Sequence, residues 1–139
     1  MARVEVIETV NADASAVWGN VGNFGGIEVG GPVTAFDLEG EGVGAVRTIS
    51  MGPARIVERL EAYDDAAMAL KYAIINDDCP LPVSNYSATI NVAANADGGC
   101  TVTWVGNFEP KGAPEEAACE VVRGIYTGGI ARARQATGG

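Results

Sequence analysis

The carboxy-terminal segment most constrains the fold, because it reads as one long amphipathic helix. Pro114 and two glutamates mark its start, and two arginines and a terminal pair of glycines mark its end. Apolar residues recur along it at intervals of three and four, the spacing of one helical face. A face this long must bury against a second layer. Its members are Ala118, Val121, Val122, Ile125, Tyr126, Gly129, Ile130 and Ala133.

Three glycines interrupt this helix, and each costs about 1 kcal/mol relative to alanine in a helix interior. Close packing of the helix on a sheet explains such glycines, and so does room left for a ligand beneath the helix. The sequence leaves both explanations open. The three are Gly124, Gly128 and Gly129.

The chain before this helix alternates in the manner of β-strands. A first strand is predicted over residues 3–10, a short helix over residues 14–21, and a second short helical turn around Phe24. From Val33 to Phe108, strands of similar length are separated by segments rich in Gly, Pro, Asp and Asn. Such spacing predicts an antiparallel meander with one wet face. The predicted turns are 40–44, 52–53, 64–65, 77–82 and 95–99.

These elements predict an α+β fold in which a curved antiparallel sheet carries two short helices and a long C-terminal helix. The 139 residues, 47% of them hydrophobic, suit one domain spanning residues 1–139. The amino terminus alternates like a strand and lacks the apolar run of a secretory signal. We therefore expect a soluble, cytoplasmic protein.

Charge and residue types exclude several functions. Nine basic and eighteen acidic residues give this acidic protein a net charge of −9, which disfavours nucleic acid and membrane partners. The chain has no histidine, so the Ser-His-Asp and Cys-His machineries are absent. Cys79, Cys100 and Cys119 lack metal-type spacing, so we expect no metal and no cofactor. Chemistry must then use carboxylates, arginine, tyrosine or a thiol.

One predicted hairpin places two charges on the apolar side of the sheet. If the chain turns tightly at Gly52-Pro53, strand alternation sets Arg47 opposite Glu58 and Ile49 opposite Ile56 on the same face. A lone buried charge costs several kcal/mol, whereas a paired one persists. Arg47 and Glu58 are therefore expected to depend on each other.

The order of elements and several motifs together resemble a known superfamily. The motifs include Gly-Val-Gly-Ala-Val-Arg at 42–47, Glu-Arg-Leu-Glu at 58–61 and Leu-Pro-Val-Ser-Asn-Tyr at 81–86. Segments 17–24, 101–104 and 108–110 also fit. The chain resembles the START-related (SRPBCC) superfamily, in its polyketide cyclase/dehydrase and lachrymatory-factor-synthase-like branch. That resemblance implies a helix-grip fold around a mostly apolar cavity, in a group that includes ligand carriers, hormone receptors, cyclases and hydratases.

The resemblance also assigns roles to particular residues. In lachrymatory-factor-synthase-like relatives, the inward arginine and the glutamate of the next strand are implicated in binding and proton transfer, which implies such roles for Arg47 and Glu58. The alternative is an ion pair that fixes strand register or recognises a ligand's polar end without chemistry. Further candidates for the cavity lining are Tyr72, Tyr86, Trp104 and Tyr126, although a buried tyrosine more often hydrogen-bonds to backbone or water, and a tryptophan such as Trp104 more often belongs to the core.

Three functions follow as hypotheses. The first is binding of a small, largely apolar molecule in a cavity between sheet and C-terminal helix, with Arg47 at its polar end. The second is a cofactor-free cyclase, dehydratase or isomerase that uses Glu58 and Arg47 on a small hydrophobic or polyketide-like substrate. The third is a protein-interaction role, and the sequence also leaves a homodimer open.

Overall fold

A computed structural model describes residues 1–27 and 29–139, and there a seven-stranded antiparallel sheet curves around a long helix. The α+β helix-grip architecture with a six-stranded meander is thus confirmed. The elements are β1 (Ala2–Val10), α1 (Ala14–Val21), β2 (Ala35–Glu39), β3 (Val46–Met51), β4 (Ala54–Asp64), β5 (Ala69–Ile74), β6 (Val83–Ala94), β7 (Cys100–Pro110) and α2 (Glu115–Thr137).

The sheet has the order β1-β7-β6-β5-β4-β3-β2, so the first strand pairs with the last. The β1–β7 register runs without a break from Ala2 opposite Phe108 to Val10 opposite Cys100. Alternate residues of both strands are buried, as period-two alternation predicts for a sheet with one covered face. In the part of the chain that the structure describes, no helix is long and apolar enough to span a membrane.

The segment around Phe24 forms a turn, so the prediction of a second short helix there is wrong. α1 ends at its C-cap Gly22, and the Gly26 N–H then donates to the Asn23 carbonyl at 3.1 Å in a turn that does not continue. Two consecutive glycines at this point raise the entropic cost of a helix. α1 itself begins where predicted, after the capping residue Asp13.

α2 lies over β1 and β7 and also packs against α1. Two arginines hold it to β1, since Arg123 Nη1 donates to the Glu5 carbonyl at 3.3 Å and Arg134 Nη2 donates to the Thr9 carbonyl at 2.8 Å. The helix ends at Gly138, whose left-handed φ of 76° suits a glycine C-cap. β1 is the edge strand of the sheet, so α2 covers one side of the concave face.

Two residues of the predicted buried face of α2 are exposed, which corrects the sequence prediction. Val121 is 42% exposed and Ile125 is 37% exposed. At 3.6 residues per turn, both point to the opposite side of the helix axis from Arg123 and Arg134, which face β1. This second flank of α2 therefore faces away from β1, and within the sheet the helix packs mainly on β1 and β7.

The helical glycines differ in what surrounds them. A Cβ at Gly129 would lie 2.6 Å from a ring carbon of Trp104, whereas a Cβ at Gly124 would meet nothing within 4 Å. On β7, a Cβ at Gly106 would lie 2.0 Å from the Tyr126 hydroxyl. Close packing of helix on sheet therefore accounts for Gly129, and Gly106 lets the Tyr126 side chain enter the interior.

We expect Gly129→Ala to lower the free energy of unfolding by about 1–3 kcal/mol, because the added methyl overpacks against the Trp104 ring. Gly124→Ala is the matched control in the same helix and should raise it by up to about 1 kcal/mol, because alanine is the better helix former. Urea unfolding followed by circular dichroism measures both. Equal effects of the two substitutions would contradict the packing explanation.

Candidate functional site

The β3–β4 hairpin has the register that the sequence predicts. Arg47 lies opposite Glu58 and Ile49 opposite Ile56. The pairing continues beyond β3, where the Leu60 N–H donates to the Ala45 carbonyl at 2.9 Å. Alternation along the two strands therefore sets the predicted pair of charges on the concave face.

Arg47 and Glu58 form a buried ion pair. Arg47 Nε and Nη2 each lie 2.7 Å from Glu58 Oε1. The side chains are only 12% and 9% exposed, and Glu58 is the one charged residue classed as buried in the described part of the chain. In such a low-dielectric setting each charge depends on the other for compensation.

Phe24 holds the arginine from the other side, a contact that the sequence analysis missed. Arg47 Nη1 donates to the Phe24 carbonyl at 3.0 Å, and the guanidinium carbon lies 4.2 Å from the centroid of the Phe24 ring. The same carbon lies 5.4 Å from the ring of Tyr72. Phe24 belongs to a loop without strand or helix periodicity, so no pattern in the sequence pointed to it.

The second carboxylate oxygen of Glu58 is free. Both nitrogens of Arg47 contact Oε1, and no side chain or backbone group of residues 1–27 and 29–139 donates to Oε2. The described residues also contain no fully buried side-chain oxygen without a hydrogen-bond partner. Oε2 therefore keeps some solvent contact, and a carboxylate oxygen can accept a hydrogen bond or a proton.

Four predicted site residues form one aromatic cluster beneath α2. Trp104 Nε1 donates to the Tyr72 hydroxyl at 3.2 Å, and the Tyr72 and Tyr86 hydroxyls are 3.5 Å apart. Tyr86 and Tyr126 share a hydrogen bond between their hydroxyls. Trp104 stacks on Tyr126 with ring centroids 4.8 Å apart. The four side chains are buried and contact one another, so they fill the space directly under the helix.

Burial raises the pKa of all three cluster tyrosines, Tyr72, Tyr86 and Tyr126. For Tyr72, the charge of Glu58 raises the pKa further, while Arg47 acts in the opposite direction. The hydroxyls therefore stay protonated at neutral pH. Because the Trp104 N–H can only donate, the Tyr72 oxygen accepts from it and its own proton is available to a partner other than Trp104.

Open space lies beside this cluster. A cavity of about 310 Å³ opens where β5 and β6 separate, and its lining includes Ile74, Tyr86 and Lys111. Ile49 and Ile56 are half-buried on the concave face beside Arg47 and Glu58. The structure thus brings together the four predicted site residues of the hairpin, which are Arg47, Ile49, Ile56 and Glu58. The four aromatic ones form a separate cluster, whose member Tyr72 lies near Arg47.

A thiol nucleophile is disfavoured in this region. Burial raises the pKa of the Cys79 thiol, and the negative charge of Glu58 adds to the effect. The thiolate is the reactive form of cysteine, so these surroundings suppress it.

Comparison with known proteins confirms the resemblance seen in the sequence. The family described as polyketide cyclase / dehydrase and lipid transport matches residues 1–137. Pathogenesis-related protein A of Petroselinum crispum is 35% identical over 88 residues, and the match covers 57% of each protein.

Solved structures share the fold over nearly the whole chain. The protein XoxI from Bacillus cereus is 28% identical with a TM-score of 0.84, over 99% of this chain and 96% of that one. A protein from Thermobifida fusca, solved by NMR in solution, is 32% identical with a TM-score of 0.74, over 99% of this chain and 91% of that one.

Replacing Arg47 with Met should lower the free energy of unfolding by about 3–5 kcal/mol, because Glu58 is left as an uncompensated buried charge. Replacing Glu58 with Met as well should restore much of that loss. Urea unfolding of the two single variants and the double variant gives the coupling energy. The exposed pair of Arg59 and Glu61, 2.8 Å apart, is the control and should show a coupling of about 0–1 kcal/mol. A similar coupling for both pairs would contradict the dependence of Glu58 on Arg47.

Proposed function

Because the chain belongs to the polyketide cyclase / dehydrase and lipid transport family, we propose that it binds a small, largely apolar molecule between α2 and the concave face of β3 and β4. The observation that carries the proposal is that two aliphatic residues of α2, Val121 and Ile125, are exposed on the flank that faces away from β1. In this proposal the exposed Val121 and Ile125 would form one wall, and the half-buried Ile49 and Ile56 would form the other. We call the space between these walls the α2 groove.

The floor of the α2 groove supplies a polar end. Three of the five N–H groups of Arg47 bond to Glu58 and Phe24, so two remain for a ligand oxygen. Glu58 Oε2 adds an acceptor beside them. A carbonyl or hydroxyl at one end of an apolar molecule would satisfy these groups, which is how a few polar groups orient a ligand in an apolar site.

The aromatic cluster forms the inner wall in this proposal. Tyr72 lies closest to the ion pair, while Tyr86, Trp104 and Tyr126 support it through their hydrogen bonds and stacking. Rigid aromatic side chains lose little entropy when a ligand binds against them. Ligand binding would then require little rearrangement on this side of the α2 groove.

Val121→Glu should weaken binding of the fluorescent probe anilinonaphthalene sulfonate by about tenfold or more, because a charge replaces apolar surface in the wall of the α2 groove. Val43→Glu is the matched control, since Val43 is also an exposed valine, at 60%, but lies in the β2–β3 turn. Probe fluorescence titrations give both dissociation constants. Equal weakening in the two variants, or no saturable binding to the wild type, would refute the α2 groove as the binding site.

The free oxygen of Glu58 favours a second candidate function, catalysis without a cofactor. A carboxylate beside a bound substrate can take up a proton and return it, while the neighbouring guanidinium stabilises a developing oxyanion. Tyr72 can donate a further hydrogen bond through its own proton. This combination suits a cyclisation, dehydration or isomerisation of a small hydrophobic or polyketide-like substrate.

Glu58→Gln separates the two functions, because glutamine keeps the size of the side chain but cannot accept a proton. A molecule that copurifies from the native host, identified by native mass spectrometry, serves as the test compound. If the protein catalyses a reaction of that compound, the variant should lose at least about 100-fold in kcat while its Kd changes little. An unchanged kcat would remove Glu58 from the chemistry, and an absence of turnover in the wild type would leave binding alone.

A further inference from the structure

A second pocket, of about 430 Å³, lies at the end of the sheet near α1 and takes no part in the proposed function. Residues from α1, the following loop, β4 and the β4–β5 turn line it. Its volume falls within the range of ordinary small-molecule sites. We call it the Asp65 pocket, and the residues that matter below are Trp18, Phe24, Tyr63 and Asp65.

Two donors orient the carboxylate of Asp65 within this pocket. Trp18 Nε1 donates to Asp65 Oδ1 at 2.8 Å, and the Tyr63 hydroxyl donates to the same oxygen at 3.3 Å. Within residues 1–27 and 29–139, no basic side chain forms an ion pair with Asp65. The carboxylate is held in place by neutral groups, and its negative charge stays available.

Two aromatic side chains, Trp18 and Tyr63, flank this charge. The Trp18 and Tyr63 rings pack with centroids 5.5 Å apart at an angle of 33°, and Tyr63 remains 43% exposed. Aromatic faces carry the negative end of the ring quadrupole and attract cations within about 6 Å of the centroid. The partly exposed Tyr63 ring beside an oriented carboxylate is therefore complementary to a positive charge.

Glycines fix one wall of the pocket and open another. A Cβ at Gly22 would lie 2.6 Å from the Trp18 ring, so this position packs directly against the indole and sets its orientation. A Cβ at Gly19 or Gly42 would meet nothing within 4 Å, so these two lining residues border open space.

The pocket contains no competing cation among its lining residues. Arg47 lies against the Phe24 ring, but Glu58 already neutralises it. The protein as a whole carries a net charge of −9. We propose that the Asp65 pocket binds a small organic cation, an alkylammonium or quaternary ammonium group, independently of the α2 groove.

The two tryptophans of the chain give a direct test, since one indole N–H lies in each site. Choline is titrated into the nitrogen-labelled protein, and its uncharged analogue, with carbon in place of the ammonium nitrogen, is titrated in parallel. Choline should shift the Trp18 indole N–H resonance saturably and leave that of Trp104 in place, with the resonances assigned from a Trp104→Phe variant. The uncharged analogue should bind at least about fivefold more weakly.

Asp65→Asn keeps an oxygen for the Trp18 and Tyr63 donors but removes the charge, and should weaken choline binding at least about fivefold. Asp64→Asn changes the net charge equally at the neighbouring position and should leave binding unchanged. Tyr63→Leu, which keeps the carboxylate and removes the ring, is a second variant should Asp65→Asn fail to fold. Equal binding of choline and its analogue, equal effects of the two Asp variants, or no saturable Trp18 shift would each overturn the proposal. If the α2 groove proves to bind no ligand, these outcomes still test the Asp65 pocket.

Discussion

The burial of Glu58 depends on the guanidinium of Arg47, and this dependence ties together three parts of the fold. A slip of one residue between β3 and β4 would turn Arg47 to the outer face and leave the carboxylate alone. The same guanidinium bonds to the Phe24 carbonyl, so it also fixes the loop after α1. The register of the hairpin, the position of the loop and the polar end of the proposed site therefore depend on one another. A change in any of them would leave Arg47 or Glu58 without a partner in an apolar interior.

The position of α2 divides the concave face into a filled part and an open part. Arginines on one flank hold the helix to β1, and Tyr126 enters the interior over Gly106, so aromatic rings occupy the space directly below. The other flank, away from β1, carries the exposed Val121 and Ile125. A helix anchored at the edge strand thus has a densely packed aromatic cluster beneath it and two exposed aliphatic residues on its other flank.

The sequence predicted the strand pairing well because alternation is a local property. The turn at Gly52-Pro53 and the period of two were enough to pair Arg47 with Glu58. Helical periodicity identified the apolar face of α2 but contains no information about which strands that face covers, so the exposure of Val121 could not be predicted. The contact of Phe24 with Arg47 joins residues far apart in the chain through a loop without periodicity, and only the folded structure reveals it.

In the proposed catalytic function, the atom that would accept a proton is Glu58 Oε2. In the absence of histidine, Glu58 is the one buried acid of the described chain near the proposed site, and Arg47 contacts only its Oε1. Had Nε and Nη2 each bonded to a different carboxylate oxygen, both oxygens would be occupied and the carboxylate would serve only to neutralise the arginine. The side-on contact of Nε and Nη2 with one oxygen instead keeps the charge compensated and leaves Oε2 without a protein donor, which suits the proton-accepting role in the proposed catalysis.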